Sequence, residues 1–409
     1  MSLIVMKFGG TSVATPELIL RVARRVISVK RQGNDVIVVL SAMGHTTDEL
    51  QDLAAKVSRN PAERDMAVLM TTGERISAAL LAIALNDQGV PSRAFTGWQA
   101  GFVTDGDQPL RARILRVEPL RIRDALAEGL VPVVTGYQGI TERGDETALG
   151  RGGSDLTAVA LACALKADAC EIYTDVDGVY TADPRVVPSA RKMRHISYEE
   201  MLEMASMGAQ VMQARSVEYA KKHGAVLHVR SSFSETPGTI IQEVDSTMES
   251  VLVRGIAHDM TEAKITLRGL ADRPGIAAAL FNRMSQSNVN VDMIVQNVSQ
   301  DGVTDLSFTV PRADLRKAMD ACLLVQRDIG AREVIADEEI AKVSVVGIGM
   351  RSHSGVAAKM FETLAAHNIN IEMISTSEIK ISCIVRESQG ENAVRALHSV
   401  FALEQDEEY

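Results

Sequence analysis

The stretch SLIVMKFGGTSVATPELILRVARRVISVKRQGNDVIVVLSAM (residues 2–43) has the pattern that decides the fold class of this chain. Its first nine residues predict a strand that ends in a Gly-Gly turn. The next segment predicts a helix, with Pro16 near its start and Gly33 just past its end. DVIVVL then has the apolar character of a strand that is buried on both faces. A strand, a helix and a second strand in this order predict a mostly parallel α/β sheet with helices on both faces.

The alternation of strands and helices continues to about residue 245. Further predicted elements are the helix GERISAALLAIALNDQG (73–89) and the strands LVPVVTGYQGI (130–140) and ACEIYTDV (169–176). Ligands of such sheets bind at the carboxyl ends of the strands. We therefore expect three glycine-containing turns to lie at that edge, namely those after Phe8, after Met43 and before Ser154.

The C-terminal part of the chain is an internal repeat. AKITLRGL (263–270) matches AKVSVVGI (341–348), and PGIAAALFNRMSQSNVNVDMI (274–294) matches SGVAAKMFETLAAHNINIEMI (354–374). Each unit predicts a strand, a glycine loop, a helix and further strands, which is typical of a small ferredoxin-like domain. The boundary before the repeats is expected in the polar segment QEVDSTMES (242–250).

Composition narrows the class of protein. A chain of 409 residues predicts more than one domain, and 46% hydrophobic with 23% charged residues is ordinary for a globular protein. The net charge of -10 argues against nucleic acid or an acidic membrane as partner. No apolar run is expected to span a membrane, and four cysteines without CxxC spacing favour a reduced, cytoplasmic setting.

KFGGTS (7–12) is the first motif that could carry chemistry. A lysine at the end of a strand, followed by two glycines and two hydroxyl residues, places a positive charge beside open backbone donors. This arrangement suits the outer phosphates of a nucleotide, where catalysis depends on positioning and charge stabilisation. A tight turn with a surface lysine explains the motif equally well.

LGRGGSDLTAVALACAL (149–165) is a glycine-rich turn that leads into an apolar helix. It lacks both the Gly-Lys-Ser/Thr ending of a P-loop and the third glycine of a dinucleotide fingerprint. Ser154 is expected to cap the helix and Asp155 to lie in its first turn, which needs no ligand. Arg151 is a cation beside the positive end of a helix, so it favours an anion bound between the two.

TDVDGVYTADPR (174–185) begins like a calcium loop but lacks the later ligands, so an EF-hand is not expected. A plain turn explains it, and a nucleotide site near Tyr180 is the alternative.

Two further segments, SAMGHTTDEL (41–50) and TTGER (71–75), place hydroxyls and an acid at helix starts. None of these motifs contains a His/Cys/Asp constellation for nucleophilic catalysis.

Taken together and in this order, the motifs resemble those of the aspartate kinases of the amino-acid kinase superfamily, and the two repeats resemble ACT domains. The resemblance covers essentially the whole chain. It implies an α/β fold with a three-layer αβα sandwich of the carbamate-kinase type at 1–245, followed by ferredoxin-like βαββαβ ACT domains at 263–335 and 341–409.

The resemblance also implies the reaction ATP + L-aspartate → ADP + 4-phospho-L-aspartate, with Mg²⁺ accompanying ATP, at the entry to lysine, threonine and methionine biosynthesis. A carboxylate is already a nucleophile at neutral pH, so the reaction needs no general base, in agreement with the motifs.

Site residues follow from the resemblance, position by position. Lys7 and Asp155 are the expected catalytic residues. The expected ATP contacts are Lys7, Phe8, Gly9, Gly10, Ser41, Thr174, Asp175, Tyr180, Asp183, Pro184, Arg185 and Gln210. The expected aspartate contacts are Ser41, Thr47, Glu74, Arg151, Gly152, Gly153 and Ser154, with Arg151 on a carboxylate and Glu74 on the ammonium. Metal ligands stay unassigned.

Gln210 departs from the family pattern, which has Gly-Ala-Lys in this segment. Either ATP affinity is weaker, or Arg215 or another cation compensates.

The ACT-like repeats imply feedback inhibition by lysine, threonine or both. The expected effector contacts are Asp272, Arg273, Pro274, Gly275, Ile276, Ala277, Asn290, Val291, Asp292, Gln296, Ser354, Gly355, Asn370 and Ile371. The repeats differ at ADRPG against MRSHSG and at Asp292 against Glu372, which suggests that one effector class uses mainly the first unit.

The sequence is compatible with several alternatives. The repeats could serve only to dimerise the chain. The assembly could be a homo-oligomer, or an α2β2 complex whose regulatory subunit starts internally near Met248. The substrate could be glutamate or a carbamate, or the chain could be an amino-acid sensor without kinase activity, which only Gln210 favours.

Overall fold

A computed structural model describes residues 2–206, 211–244, 252–297, 302–351 and 355–405. The chain forms two compact units. The first comprises Met1–Val179, Lys192–Ala205 and Gln210–Asp245, and the second comprises Tyr180–Arg191, Ser206–Ala209 and Ser246–Tyr409. Residues 180–191, which the sequence ranges place with the kinase-like domain, are thus grouped with the second unit.

The first unit contains two sheets. Its strands are β1 (Leu3–Phe8), β2 (Asp35–Leu40), β3 (Ser92–Phe95), β4 (Phe102–Thr104), β5 (Ile114–Val117), β6 (Val131–Thr135), β7 (Gln138–Thr141), β8 (Glu146–Ala148), β9 (Ala169–Thr174), β10 (His195–Ser197), β11 (Leu227–Ser231) and β12 (Thr239–Gln242). The large sheet has the order β10-β12-β11-β9-β1-β2-β6-β3 and is parallel except between β11 and β12. A smaller sheet has the order β5-β4-β7-β8.

Helices cover both faces of the large sheet. They are α1 (Pro16–Arg31), α2 (Thr46–Val57), α3 (Glu63–Met70), α4 (Thr72–Asp87), α5 (Leu120–Ala127), α6 (Gly153–Leu165), α7 (Tyr198–Ser206) and α8 (Ala214–His223). Side chains alternate along β1, so Met6 and Phe8 pack in the core formed with α1 and α4, whereas Lys7 faces α6. The predicted αβα sandwich is confirmed.

Helix α1 shows why the opening stretch folds as predicted. Ile19, Val22, Ala23, Val26 and Ile27 recur at helical spacing and are all buried against the sheet. The hydroxyl of the N-cap residue accepts a hydrogen bond from the third residue of the helix, and proline occupies the first helical position. The helix therefore begins and ends where its capping residues predict.

LVPVVTGYQGI was expected to form one strand, and this expectation is wrong. The segment forms β6 and β7, which lie in different sheets. The chain turns at Gly136 and at Tyr137, whose φ of 71° lies in the left-handed region. A Cβ on Gly136 would lie 2.6 Å from the Ser154 side chain, so only glycine fits this turn.

The stretch Glu63–Asp87 is long and apolar enough to cross a membrane by length and composition, contrary to the sequence-based expectation. It consists of α3 and α4, and 44% of its most apolar window is buried within the structure. Leu81 and Leu85 of α4 pack in the core beside α1 and the sheet. A core helix of a globular domain has the same length and composition, and α4 contributes to the core of the sandwich.

The second unit contains two antiparallel four-stranded sheets. Its strands are β13 (Gly255–Asp259), β14 (Glu262–Ala271), β15 (Ile294–Gln296), β16 (Val303–Pro311), β17 (Glu333–Asp337), β18 (Ile340–Val346), β19 (Met373–Thr376) and β20 (Lys380–Arg386). Its helices are α9 (Ile276–Gln286), α10 (Leu315–Ile329), α11 (Val356–Ala366) and α12 (Glu387–Val400). The sheet orders are β15-β16-β14-β17 and β13-β18-β20-β19.

The two repeats differ in how the chain runs through them. The first has the linear order βαββαβ from β14 to β17. The second runs from β18 to α12 and takes its remaining strand, β13, from a segment upstream of the first repeat. β13 pairs antiparallel with β18, from Gly255 opposite Val346 to Asp259 opposite Lys342. The ferredoxin-like prediction is confirmed, but the linear order holds only for the first domain.

Candidate active site

Two loops meet at the carboxyl edge of the large sheet, beside the end of β9. The Gly9 amide donates to Tyr173 O at 3.1 Å, and the Ser41 amide donates to Phe8 O at 3.1 Å. The Gly44 amide donates to Gly10 O at 3.0 Å. The glycine turns that follow β1 and β2 therefore lie together beside the end of β9, as the parallel sheet predicts.

Lys7 lies at this edge and is paired with the start of α6. Its Nζ is 2.5 Å from Asp155 Oδ1, and both side chains are about nine-tenths buried. The pair is possible because Lys7 faces α6 and Asp155 lies in the first turn of that helix. A buried lysine with one carboxylate partner retains hydrogen-bonding capacity for a second anion.

Gly10 and Gly9 differ in the space around them. A Cβ on Gly10 would lie 2.8 Å from the backbone oxygen of Ala42. A Cβ on Gly9 would lie 3.6 Å from Lys7 Nζ, which is ordinary contact distance. Gly10 is therefore needed for the close approach of two loops, whereas Gly9 leaves open the space beside the ammonium group.

We expect Gly10→Ala to lower the melting temperature and the activity together, because the backbone of the next loop must move, at a cost of about 1–3 kcal/mol. Gly9→Ala is the matched control, which should keep the melting temperature because its Cβ makes only ordinary contacts, and should lose activity because the methyl group occupies the open space beside the Lys7 ammonium. Thermal unfolding and steady-state rates of both variants measure this. Equal melting temperatures for the two variants would contradict it.

The glycine-rich loop before α6 differs from the sequence prediction at its cap. Ser154 was expected to cap the helix, but Gly152 does so, with a φ of 67° that favours glycine. The amide of Asp155 donates to Gly152 O at 3.1 Å, so the helix begins at Gly153. Ser154 is buried in the first turn and Arg151 is exposed on the loop.

Arg215 stabilises the glycine-rich loop before α6 through two hydrogen bonds. Its Nη1 donates to Leu149 O at 2.6 Å and its Nη2 donates to Ala112 O at 3.1 Å. Both Nη atoms of this guanidinium donate to backbone carbonyls and stabilise the loop. This disfavours Arg215 as the cation that compensates for the positive charge missing at Gln210. Gln210 itself lies outside the described residues.

Glu74 is a buried carboxylate in the first turn of α4. Its Oε1 accepts a hydrogen bond from the Ala42 amide at 3.3 Å. Its Oε2 is buried without a hydrogen-bond partner among the described residues. Burial raises the pKa of Glu74 to about 7, against the opposing effect of backbone hydrogen bonds. An unpaired buried oxygen of this kind calls for a cationic or hydrogen-bond-donating ligand.

Ser77 and Tyr137 are site residues that the sequence analysis missed. Ser77 Oγ donates to Ser41 O at 2.7 Å and so fixes the loop after β2. Burial, with a contribution from the charge of Glu74, raises the pKa of Tyr137 to about 12. The ring of Tyr137 lies against Gly153, where a Cβ would be 2.9 Å from Cδ2. The Gly-Tyr pair after β6 was the available signal, since it interrupts the strand pattern.

The remaining expected contacts lie on other elements of the two units. Thr47 is half-buried in the first turn of α2. Thr174 ends β9, and its hydroxyl donates to Asp175 Oδ1 at 3.0 Å. Tyr180, Asp183, Pro184 and Arg185 belong to the segment grouped with the second unit, where the guanidinium of Arg185 pairs with Asp183 at 2.7 Å.

The expected effector contacts lie at equivalent places in the two repeats. Gly275 precedes α9 with a φ of 97°, and Gly355 precedes α11 with a φ of 104°. Asp272, Arg273 and Pro274 are exposed before the first helix, and Ile276 and Ala277 begin it. Asn290, Val291 and Asp292 precede β15, which ends at Gln296, and Asn370 and Ile371 precede β19. Ser354 lies outside the described residues.

Comparison with known proteins matches both units. The Amino acid kinase family matches residues 2–231, and the ACT domain matches residues 265–323 and 343–401. An aspartate kinase of Pseudomonas putida is 53% identical over 405 residues, which is 99% of this chain and 98% of that protein.

Solved structures agree with these matches. The structure of E. coli aspartokinase III in complex with aspartate and ADP (R-state) is 26% identical, with a TM-score of 0.79 over 97% of this chain and 99% of that one. The structure of the same protein in complex with lysine and aspartate (T-state), also 26% identical, has a TM-score of 0.74 with the same coverage.

Proposed function

The chain belongs to the aspartate kinases of the amino acid kinase family, and on that premise we propose that its first unit transfers the γ-phosphoryl group of ATP to the side-chain carboxylate of L-aspartate at the edge where Lys7, Arg151 and Glu74 lie. The observation that carries this assignment is the unpaired buried oxygen of Glu74 at the sheet edge where Lys7 of β1 pairs with Asp155 of α6. It supports an ammonium-bearing acceptor.

Each charged group has a distinct role in this proposal. Glu74 binds the ammonium of aspartate, and Arg151 binds a carboxylate through its planar guanidinium. Lys7 and the amide of Gly10 neutralise negative charge on the transferring phosphoryl group, and Gly9, whose amide already donates to Tyr173 O, leaves space for that group beside the Lys7 ammonium. Asp155 holds the Lys7 ammonium in place. The remaining contacts are Thr47, Gly152, Gly153 and Ser154 for aspartate, and Phe8, Ser41, Thr174, Asp175, Tyr180, Asp183, Pro184, Arg185 and Gln210 for ATP.

The chemistry requires positioning of two anions more than acid-base catalysis. The β-carboxylate of aspartate is ionised at neutral pH and attacks the γ-phosphorus directly, and ADP leaves. Cations and backbone amides on both sides of the transferred group lower the repulsion between the two reactants. No proton needs to move at the reacting oxygen.

Magnesium is proposed to arrive with the nucleotide. The described residues contain no group of three or more His, Cys, Asp or Glu side chains that could hold a metal ion. Mg²⁺ commonly keeps several waters and binds through substrate phosphates with one or two carboxylates, and Asp155 is a carboxylate at this edge. Bound Mg²⁺ would supply charge neutralisation on the phosphates.

A pH profile tests the role of Glu74. Its raised pKa, about 7, means that the carboxyl group gains a proton as the pH falls below neutrality and then no longer attracts the ammonium. We expect the KM for aspartate to be about tenfold higher near pH 6 than near pH 8. Glu74→Gln should raise the KM at pH 8 and remove this dependence. The same slope in the variant would assign the titration to another group.

The substrate is tested by ADP release with aspartate, with glutamate and without acceptor. Product formation with aspartate alone supports the proposal. Turnover with glutamate would favour the related kinase class, and no turnover with any acceptor would favour an amino-acid sensor.

The ACT domains are proposed to bind lysine, threonine or both as feedback inhibitors, through the two equivalent segments described above. The lysine complex of E. coli aspartokinase III supports lysine in particular. The assembly is proposed to be a homo-oligomer, or an α2β2 complex with a regulatory subunit that starts near Met248. That residue lies outside the described residues and upstream of β13.

A further inference from the structure

Two lysines cross between the ACT domains of one chain and pair with carboxylates of the other domain. Lys342 on β18 has its Nζ 2.6 Å from Asp292 Oδ2 and 2.7 Å from Glu262 Oε1. Lys264 on β14 pairs with Glu372 in the opposite direction. Each domain thus supplies a lysine to its neighbour and accepts one in return.

The two ion pairs are related by the internal repeat. Lys264 and Lys342 occupy the same position of AKITLRGL and AKVSVVGI, and Asp292 and Glu372 occupy the same position of NVNVDMI and NINIEMI. Met293 and Met373, which directly follow Asp292 and Glu372 and are equivalent in the repeat, belong to one apolar cluster with Val295, Ile340 and Ile384. The lysines therefore reach the segments that the proposed function assigns to effector binding.

The two pairs are not equally open to solvent. The Glu372 side chain is 14% exposed and is also bound by Arg386 Nε at 2.9 Å. The Asp292 side chain is 45% exposed. A ligand can approach Asp292 from solvent, where Lys380 adds positive charge to that of Lys342, whereas the less exposed Glu372 is in direct contact with two cations.

Lys342 keeps one carboxylate partner, Glu262, when its contact with Asp292 opens. Its side chain is 4% exposed, and Glu262 beside it is 10% exposed. Burial opposes the charge on Lys342, but the Glu262 and Asp292 carboxylates outweigh it and raise the pKa of the ammonium group. Since a buried cation without a counter-ion is strongly unfavourable, the Glu262 contact allows the Asp292 contact to open at small cost.

We propose that Lys342 is an internal competitor for the ammonium group of the amino-acid effector at Asp292. This rests on the proposed effector role of residues 290–292. In the effector-free chain Asp292 binds Lys342, and an incoming effector must displace it, while Lys342 stays on Glu262. The strength of the Lys342–Asp292 pair thereby sets the effector concentration at which inhibition begins.

The variant Lys342→Met tests the competition. We expect half-maximal inhibition of the full-length chain at about fivefold lower effector concentration, since a partly exposed ion pair no longer has to be broken. The KM for aspartate without effector should be unchanged. A purely structural role of Lys342 gives the opposite sign, because a distorted site binds the effector more weakly.

Two further variants keep this result interpretable. Lys342→Met with Glu262→Gln removes the unpaired buried carboxylate and should show the same increase in sensitivity if the single variant is unstable. Lys264→Met is the matched control: its acceptor Glu372 retains Arg386, so sensitivity should not increase. Lysine and threonine are tested separately by inhibition and by isothermal titration.

The outcomes separate this inference from the proposed function. Unchanged or weaker inhibition in both Lys342 variants, with the unmodified chain inhibited, overturns the competition and leaves feedback control standing. If neither amino acid binds or inhibits the unmodified chain, the proposed regulation fails and the competition fails with it.

Discussion

Lys7→Met is expected to lower kcat by about three orders of magnitude. Lys7 is the cation placed at the end of β1 beside the open space left by Gly9, and its loss removes preorganised positive charge from the transferring phosphoryl group. Removal of one such stabilising group typically costs about 10²–10³ in kcat. Steady-state ADP formation at saturating aspartate and ATP measures this.

The control for this experiment addresses the partner of Lys7. With the lysine gone, Asp155 would be a buried carboxylate without a counter-ion, which destabilises the fold. Lys7→Met with Asp155→Asn removes both charges and should restore the melting temperature without restoring kcat. A rate within tenfold of the unmodified chain, in a folded double variant, would contradict the role of Lys7.

Arg151→Ala is expected to raise the KM for aspartate by about 100-fold and to change the KM for ATP little. Arg151 is exposed on the glycine-rich loop, where the adjoining helix start already repels a cation, so its placement is explained by an anionic ligand. Loss of a bidentate arginine–carboxylate contact typically costs about 2–3 kcal/mol, which corresponds to this factor.

Arg151→Lys separates charge from geometry. It keeps the positive charge but loses the planar fork, so its KM for aspartate should lie between those of the unmodified chain and the alanine variant. Equal increases in the KM for both substrates would assign Arg151 to the loop structure or to the nucleotide.

The elements that sequence predicted well are those with strong local signals. Helix α1 combines a capping threonine, an initial proline and a regular apolar face, and β1 and β2 are short apolar runs between clear breaks. The tandem repeat likewise predicted two similar domains. In these cases the local preferences and the final packing agree, so the pattern alone is sufficient.

The features that sequence missed depend on contacts between distant residues. The break at Gly136 is imposed by the approach of Ser154, and Gly152 replaces Ser154 as the cap because its left-handed φ fits the loop that Arg215 holds. Glu74 is buried with the Ala42 amide on its Oε1 and with its Oε2 unpaired among the described residues. None of these contacts produces a periodic pattern in the amino-acid sequence.

The upstream origin of β13 has a consequence for how the protein is made. The first ACT domain is contiguous and can fold as soon as it leaves the ribosome. In the second domain, β13 has no partner strand until residues 260–339 and then β18 have been synthesised. Pairing across this separation is slow because the loop must close first. During synthesis β13 is an unpaired strand, so truncated or stalled chains are expected to aggregate through this segment.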